Sequence, residues 1–211
     1  MAGPEMINGM HVISDGRQSL AEWLSICRSC EEAAAVFHLR EKERPAGVIA
    51  EWIEAYRTAG LPLAKLRVND RVDAAWLAGI KQVQLPQQGL SPGTVKAGLT
   101  GMYVSVSVHS LTEALQAERE GADEVLFGHV FSTDSKRGLA SRGPEQLAEI
   151  AANLSIPVVA IGGITPENIA DVRDAGAAGA AVLSGITSAP DPEEAVKSYQ
   201  KRWGKNNENA D

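Results

Sequence analysis

The run Glu124-Val-Leu-Phe-Gly-His-Val-Phe-Ser-Thr-Asp-Ser-Lys-Arg-Gly138 is apolar where a buried strand would be and polar where that strand would end. His129 stands at the changeover. An imidazole has an ordinary pKa of about 6.5, so a histidine at a strand end can both take up and deliver a proton near neutral pH. A histidine in an apolar run is also commonly a core residue with one satisfied hydrogen bond, but its place at the strand end favours proton transfer here. Thr133, Ser135 and Lys136 follow on the loop.

A second kind of chemistry is offered by Gly162-Gly163 and Ser184-Gly185. Glycine lets backbone N–H groups come close to an anion, and a following helix start adds favourable potential, so both turns suit a phosphate. The same glycines would also serve as tight strand-to-helix turns. His38, His109 and His129 fall at the ends of different strands, but no carboxylate motif joins them with ligand spacing, and no metal site is read from them. Cys27 and Cys30 lie in a helical pattern with no second cysteine pair and are read as helix residues.

These residues need a frame. Apolar runs at Met10–Ser14, Ala34–Leu39, Lys65–Val68, Gln82–Leu85, Tyr103–Val108, the Glu124 run, Ile156–Ile161 and Ala180–Leu183 read as strands. Helical spacing follows each one: Leu20, Trp23, Leu24 and Cys27 after the first, for example, and Val48, Ile49, Trp52, Ile53 and Tyr56 after the second. Asn69-Asp70, Ser91-Pro92 and Thr165-Pro166 read as helix starts, and the last helix as running from Pro192 to about Trp203. The repeat predicts an α/β fold, a single (β/α)8 TIM barrel over residues 10–204, with residues 1–9 an N-terminal tail and 205–211 a disordered one. In such a barrel the strand carboxyl ends carry the chemistry. The candidates there are His38, Arg40, Asn69, Asp70, Ser107, His109, His129 and Lys136. His11 reads as a structural strand residue.

A net charge of −7, from 20 Lys plus Arg against 27 Asp plus Glu, gives no general attraction for nucleic acid or anionic lipid. No apolar run approaches the roughly 20 residues of a membrane span, and residues 1–9 lack the pattern of a signal peptide. The expectation is a cytoplasmic protein.

Taken together, His38-Leu-Arg-Glu-Lys42, Val68-Asn-Asp-Arg-Val-Asp73, Ser107-Val-His109, Gly128 to Lys136 and Ala160-Ile-Gly-Gly-Ile164 resemble the thiamine phosphate synthase superfamily over nearly the whole chain. Three departures direct the reading within it. Synthases carry Gly-Gln-Glu-Asp after strand four, its Asp binding magnesium, where this chain has Pro86-Gln-Gln-Gly89. Synthases carry proline where this chain has His129, and Gln where it has His38. The His129 pattern resembles the thiazole tautomerase branch. That resemblance implies isomerisation of 2-(2-carboxy-4-methylthiazol-5(2H)-ylidene)ethyl phosphate to the aromatic carboxythiazole phosphate, with His129 moving the proton and no cofactor or metal. It implies a substrate set of Arg40 for an anionic group, Ser107, Thr133 and Ser135 on the pocket wall, and Gly162, Gly163, Ser184 and Gly185 for the phosphate. Lys136 either meets the phosphate or is a solvated charge. The implied partner is the small thiazole phosphate, and the implied assembly a homodimer. Two alternatives stand beside this: a working thiamine phosphate synthase joining pyrimidine pyrophosphate to thiazole phosphate, supported by Arg40, Lys42, Asn69, Asp70 and Lys136, and a ligand-binding regulator without catalysis.

Overall fold

The computed structural model describes residues 8–133 and 138–204. Strands β1 (Gly9–Ile13), β2 (Ala34–Leu39), β3 (Leu66–Asn69), β4 (Gln82–Leu85), β5 (Tyr103–Val108), β6 (Glu124–Gly128), β7 (Val158–Ile161) and β8 (Gly179–Val182) form one closed parallel barrel. Closure is direct: β1 pairs with β2 on one side and β8 on the other, His11 aligning with Val36 and Ala181. The expected (β/α)8 barrel is therefore the observed fold. Most of the segment expected as N-terminal tail, and the C-terminal one, lie outside the described residues. Among the described residues no helix is long and apolar enough to cross a membrane.

The helices are α1 (Leu20–Ser29), α2 (Ala46–Thr58), α3 (Val72–Leu77), α4 (Pro92–Gly98), α5 (Leu111–Arg119), α6 (Gly143–Asn153), α7 (Ile169–Asp174), α8 (Ser184–Thr187) and α9 (Pro192–Trp203). Their starts follow from local chemistry. Ser19 and Glu22 cap α1 reciprocally, and Ser91 and Ser110 accept from the Thr94 and Glu113 amides at the starts of α4 and α5. Two expected starts move. Asp70 has a left-handed backbone (φ 64°), and α3 begins after Arg71 with no side-chain cap. Thr165 donates its amide to Asn168 Oδ1 in a turn, and α7 begins after that at Ile169.

Strand alternation separates two cores. Outward residues such as Val12, Phe37, Val68, Val83, Val104, Phe127, Ala160 and Val182 pack against the helices in the main apolar cluster. Inside the barrel Ile13, Leu126, Val159 and Ala181 make a small buried apolar cluster, from β1, β6, β7 and β8, with Ile161 and Leu183 packed against it. Much of the rest of the interior is polar: His11, His38, Arg67, Gln84, Ser105 and Glu124 are all buried. His11 is thus part of a polar interior. Cys27 and Cys30 are buried, unpaired residues on and at the end of α1, as read from the sequence.

Candidate active site

At the strand carboxyl ends the barrel opens into a cavity of about 410 Å³. Ser107 and His109 line it from β5 and its end, Arg40 and Asn69 from the ends of β2 and β3, and His129 and Thr133 from the loop after β6. Gly162, Gly163, Ser184 and Gly185 line it from the turns after β7 and β8. Ten expected residues, Arg40, Asn69, Ser107, His109, His129, Thr133, Gly162, Gly163, Ser184 and Gly185, are therefore brought together. Ser135 and Lys136 lie outside the described residues. His38 is not on the wall but fully buried behind it.

His129 is held at both ring nitrogens. Arg142 Nη1 is 3.2 Å from Nδ1, and a guanidinium can only donate, so Nδ1 is the accepting nitrogen. Nε2 then carries the proton and donates to the Leu139 carbonyl at 3.4 Å. The same Arg142 donates through Nε to the His109 carbonyl at 2.7 Å and through its amide to the His129 carbonyl at 3.1 Å. Arg142 was missed in the sequence. Its signal was the following Gly143-Pro144, which marks a helix start and so places Arg142 at the barrel mouth.

Among the described residues that line the pocket, Arg40 is the one Lys or Arg side chain. Its amide donates to Ser14 Oγ at 2.8 Å, which fixes the backbone, while its guanidinium has no hydrogen-bond or ion-pair partner among the described residues. Burial lowers its pKa from the ordinary arginine value, against the opposing pull of Glu41. A partly buried, unpaired guanidinium on a cavity wall is a station for an anion.

The glycine wall has a packing reason as well as a binding one. Gly162 (φ 102°) and Gly163 (φ 65°) have backbones that L side chains rarely adopt. A β-carbon on Gly162 would overlap His129 Cβ, and one on Gly163 would overlap the Ser132 carbonyl. A β-carbon on Gly185 would overlap the Tyr199 hydroxyl, which donates to the Ile164 carbonyl at 3.2 Å. These turns close tightly on the β6 loop and on α9.

The carboxylate pair of a magnesium site does not assemble. Asp70 follows β3, but β4 is followed by Pro86, Gln87, Gln88 and Gly89, none with a carboxylate. Among the described residues no group of three or more His, Cys, Asp or Glu is placed to hold a metal ion. Magnesium needs several hard oxygens in a near-octahedral array, so these residues do not fit it.

Residues 10–186 match the sequence profile of the family described as thiamine monophosphate synthase. The chain belongs to that family. It is 40% identical over 170 residues to the thiamine-phosphate synthase of Chlorobium phaeobacteroides, covering 79% of this chain and 82% of the relative. It is 42% identical over 172 residues to that of Chlorobium phaeovibrioides, covering 78% and 80%. The solved thiamine phosphate pyrophosphorylase from Pyrococcus furiosus superposes with a TM-score of 0.78 at 31% identity, covering 92% of this chain and 95% of that one. These relatives overturn the tautomerase expectation. They are named as synthases, and the isomerase reading drawn from His129 finds no support among them. The overturning rests on the relatives' names; at His129 itself the structure adds only that Arg142 Nη1 and the Leu139 carbonyl lie at its two ring nitrogens.

Proposed function

We propose that the protein is a thiamine phosphate synthase, joining a pyrimidine carried as its diphosphate ester to a thiazole phosphate. The new bond forms between the thiazole ring nitrogen and the exocyclic carbon of the pyrimidine. The carbon–oxygen bond to diphosphate breaks, and its electron pair leaves with the diphosphate. The observation that carries this reading is one cavity lined both by Arg40, whose guanidinium has no hydrogen-bond or ion-pair partner among the described residues, and by the glycine turns after β7 and β8.

In this assignment Gly162, Gly163, Ser184 and Gly185 hold the thiazole phosphate through backbone amides, and Ser107 and Thr133 line the space between the two anions. Arg40 meets the charge that develops on the leaving diphosphate, the kind of stabilisation that is strongest where water is excluded. Such a displacement abstracts no carbon-bound proton. His129 therefore acts as a wall residue, oriented by Arg142, rather than as an acid or base.

The test is to incubate the purified protein with pyrimidine diphosphate and thiazole phosphate and to follow thiamine phosphate by chromatography. The expected result is product that depends on both substrates and falls in Arg40→Ala. No product from the folded protein across a range of substrate concentrations would overturn the assignment.

A further inference from the structure

Behind the cavity wall, His11, His38 and Asn69 form a continuous hydrogen-bonded row. His11 Nδ1 lies 3.1 Å from His38 Nε2, and His38 Nδ1 lies 3.2 Å from Asn69 Oδ1. Both rings are completely buried, while Asn69 lines the cavity. The chemistry of the atoms fixes a direction. An amide oxygen can only accept, so His38 Nδ1 must carry the proton of the His38–Asn69 bond. Burial, the positive charge of Arg67 and neighbouring His11 all disfavour a second proton on His38. His38 Nε2 is then bare and accepts, and His11 Nδ1 is the donor. With its oxygen committed inward, Asn69 has its NH₂ group left for the cavity.

We infer that His38, backed by His11, is a positioning residue that turns the Asn69 NH₂ group into the cavity and so selects a ligand with a hydrogen-bond acceptor at that wall. Ser107, also on the wall, repeats the device: Gln84 Nε2 donates to Ser107 Oγ at 3.1 Å, which leaves the hydroxyl hydrogen free to point at a ligand. Together with Arg40, this side of the pocket offers donors. Under the transferase reading the acceptor is a diphosphate oxygen or a pyrimidine ring nitrogen, so the identity of the ligand, though not the row itself, rests on that reading.

Two measurements test it. Nitrogen-15 NMR of the unliganded protein reads the His38 tautomer without any activity. The expected spectrum has His38 protonated at Nδ1 and bare at Nε2 from pH 6 to 8, and the reverse tautomer would overturn the inference. Steady-state kinetics then compare variants. His38→Leu removes the donor to Asn69 and is expected to raise KM for the pyrimidine diphosphate about tenfold, the effect of one lost hydrogen bond, with little change in KM for the thiazole phosphate. His38→Gln, whose amide can still donate to Asn69 Oδ1, should return that KM to within about twofold of wild type. A wild-type KM in His38→Leu, or a His38→Gln enzyme no better than His38→Leu, would overturn it. Competitive inhibition by inorganic diphosphate separates the acceptors: weaker inhibition in His38→Leu places the contact on the diphosphate, and unchanged inhibition with a raised KM places it on the ring. Should His38→Leu fail to fold, the wild-type tautomer alone decides. A protein with the expected tautomer but no synthase activity would sink the function and leave the row standing.

Discussion

Arg67 on β3 and Glu124 on β6 meet across the interior of the barrel, both without solvent exposure, in a two-pronged ion pair. Gln82 Oε1 accepts from the same guanidinium at 3.2 Å, and Ser105 Oγ donates to the carboxylate at 2.8 Å. Breaking such a pair on one side strands a buried charge, which costs about 3 to 5 kcal/mol, whereas replacing both partners by apolar groups of similar volume is often neutral. Arg67→Met is therefore expected to destabilise strongly, and Arg67→Met with Glu124→Leu to recover most of the loss. Denaturant unfolding of the two single variants and the double variant measures this, and equal losses in single and double variants would refute it.

Acid should weaken the fold in two stages. His38 is held below its ordinary value by burial, Arg67 and His11, so below about pH 6.5 the unfolded chain binds a proton that the folded chain refuses. Stability then falls as pH drops from about 6.5, by at most about 1.4 kcal/mol per pH unit for this one group. For Glu124 burial pulls upward, but Arg67, His11 and Ser105 outweigh it and hold the carboxyl below its usual range. Its contribution is present above the unfolded carboxyl value of about 4.3 and is lost as pH falls further towards the folded one. Unfolding curves between pH 8 and 3 should show both stages. His38→Gln should remove the upper one, and an unchanged upper stage in that variant would contradict the assignment to His38.

Gly162→Val is expected to damage the fold as well as binding. The residue has φ 102°, and its β-carbon would overlap His129 Cβ, so the valine meets protein before it meets ligand. Backbone strain alone at such a position costs about 1 to 3 kcal/mol. Thermal unfolding reports it, and a melting temperature equal to wild type would show that the β7 turn relaxes.

Arg40→Ala should do the opposite. Its guanidinium has no hydrogen-bond or ion-pair partner among the described residues, so its removal leaves no orphaned group and the melting temperature should hold. Affinity for inorganic diphosphate should fall by about 10- to 150-fold, the effect of losing a charge-assisted hydrogen bond worth about 1.5 to 3 kcal/mol. Calorimetry of binding, run beside thermal unfolding, separates the two. A large drop in stability would mean that Arg40 is structural.

Magnesium should not stimulate turnover saturably. Asp70 has no carboxylate opposite it, because Gly89 stands after β4 where a ligand would be needed. A titration of the purified protein with magnesium after exhaustive chelation is the check. Saturation at millimolar magnesium or below would show that donors other than a carboxylate pair hold the ion.

The barrel is legible in the amino-acid pattern alone. Eight apolar runs, each followed by helical spacing, leave few other ways to bury so many strands, and the outward faces such as Val12, Phe37 and Phe127 carry that signal because the helices cover them. It also placed Arg40, Ser107, His129, Gly162 and Gly185 at one mouth, since a residue at the end of a barrel strand has nowhere else to be. Tertiary structure decided what those residues can do. Arg142 reaches His129 from 13 positions away, His38 reaches Asn69 across 31, and Arg67 reaches Glu124 across 57. No local spacing records such pairs. What lies at the two nitrogens of each imidazole is decided only when the strands close the ring.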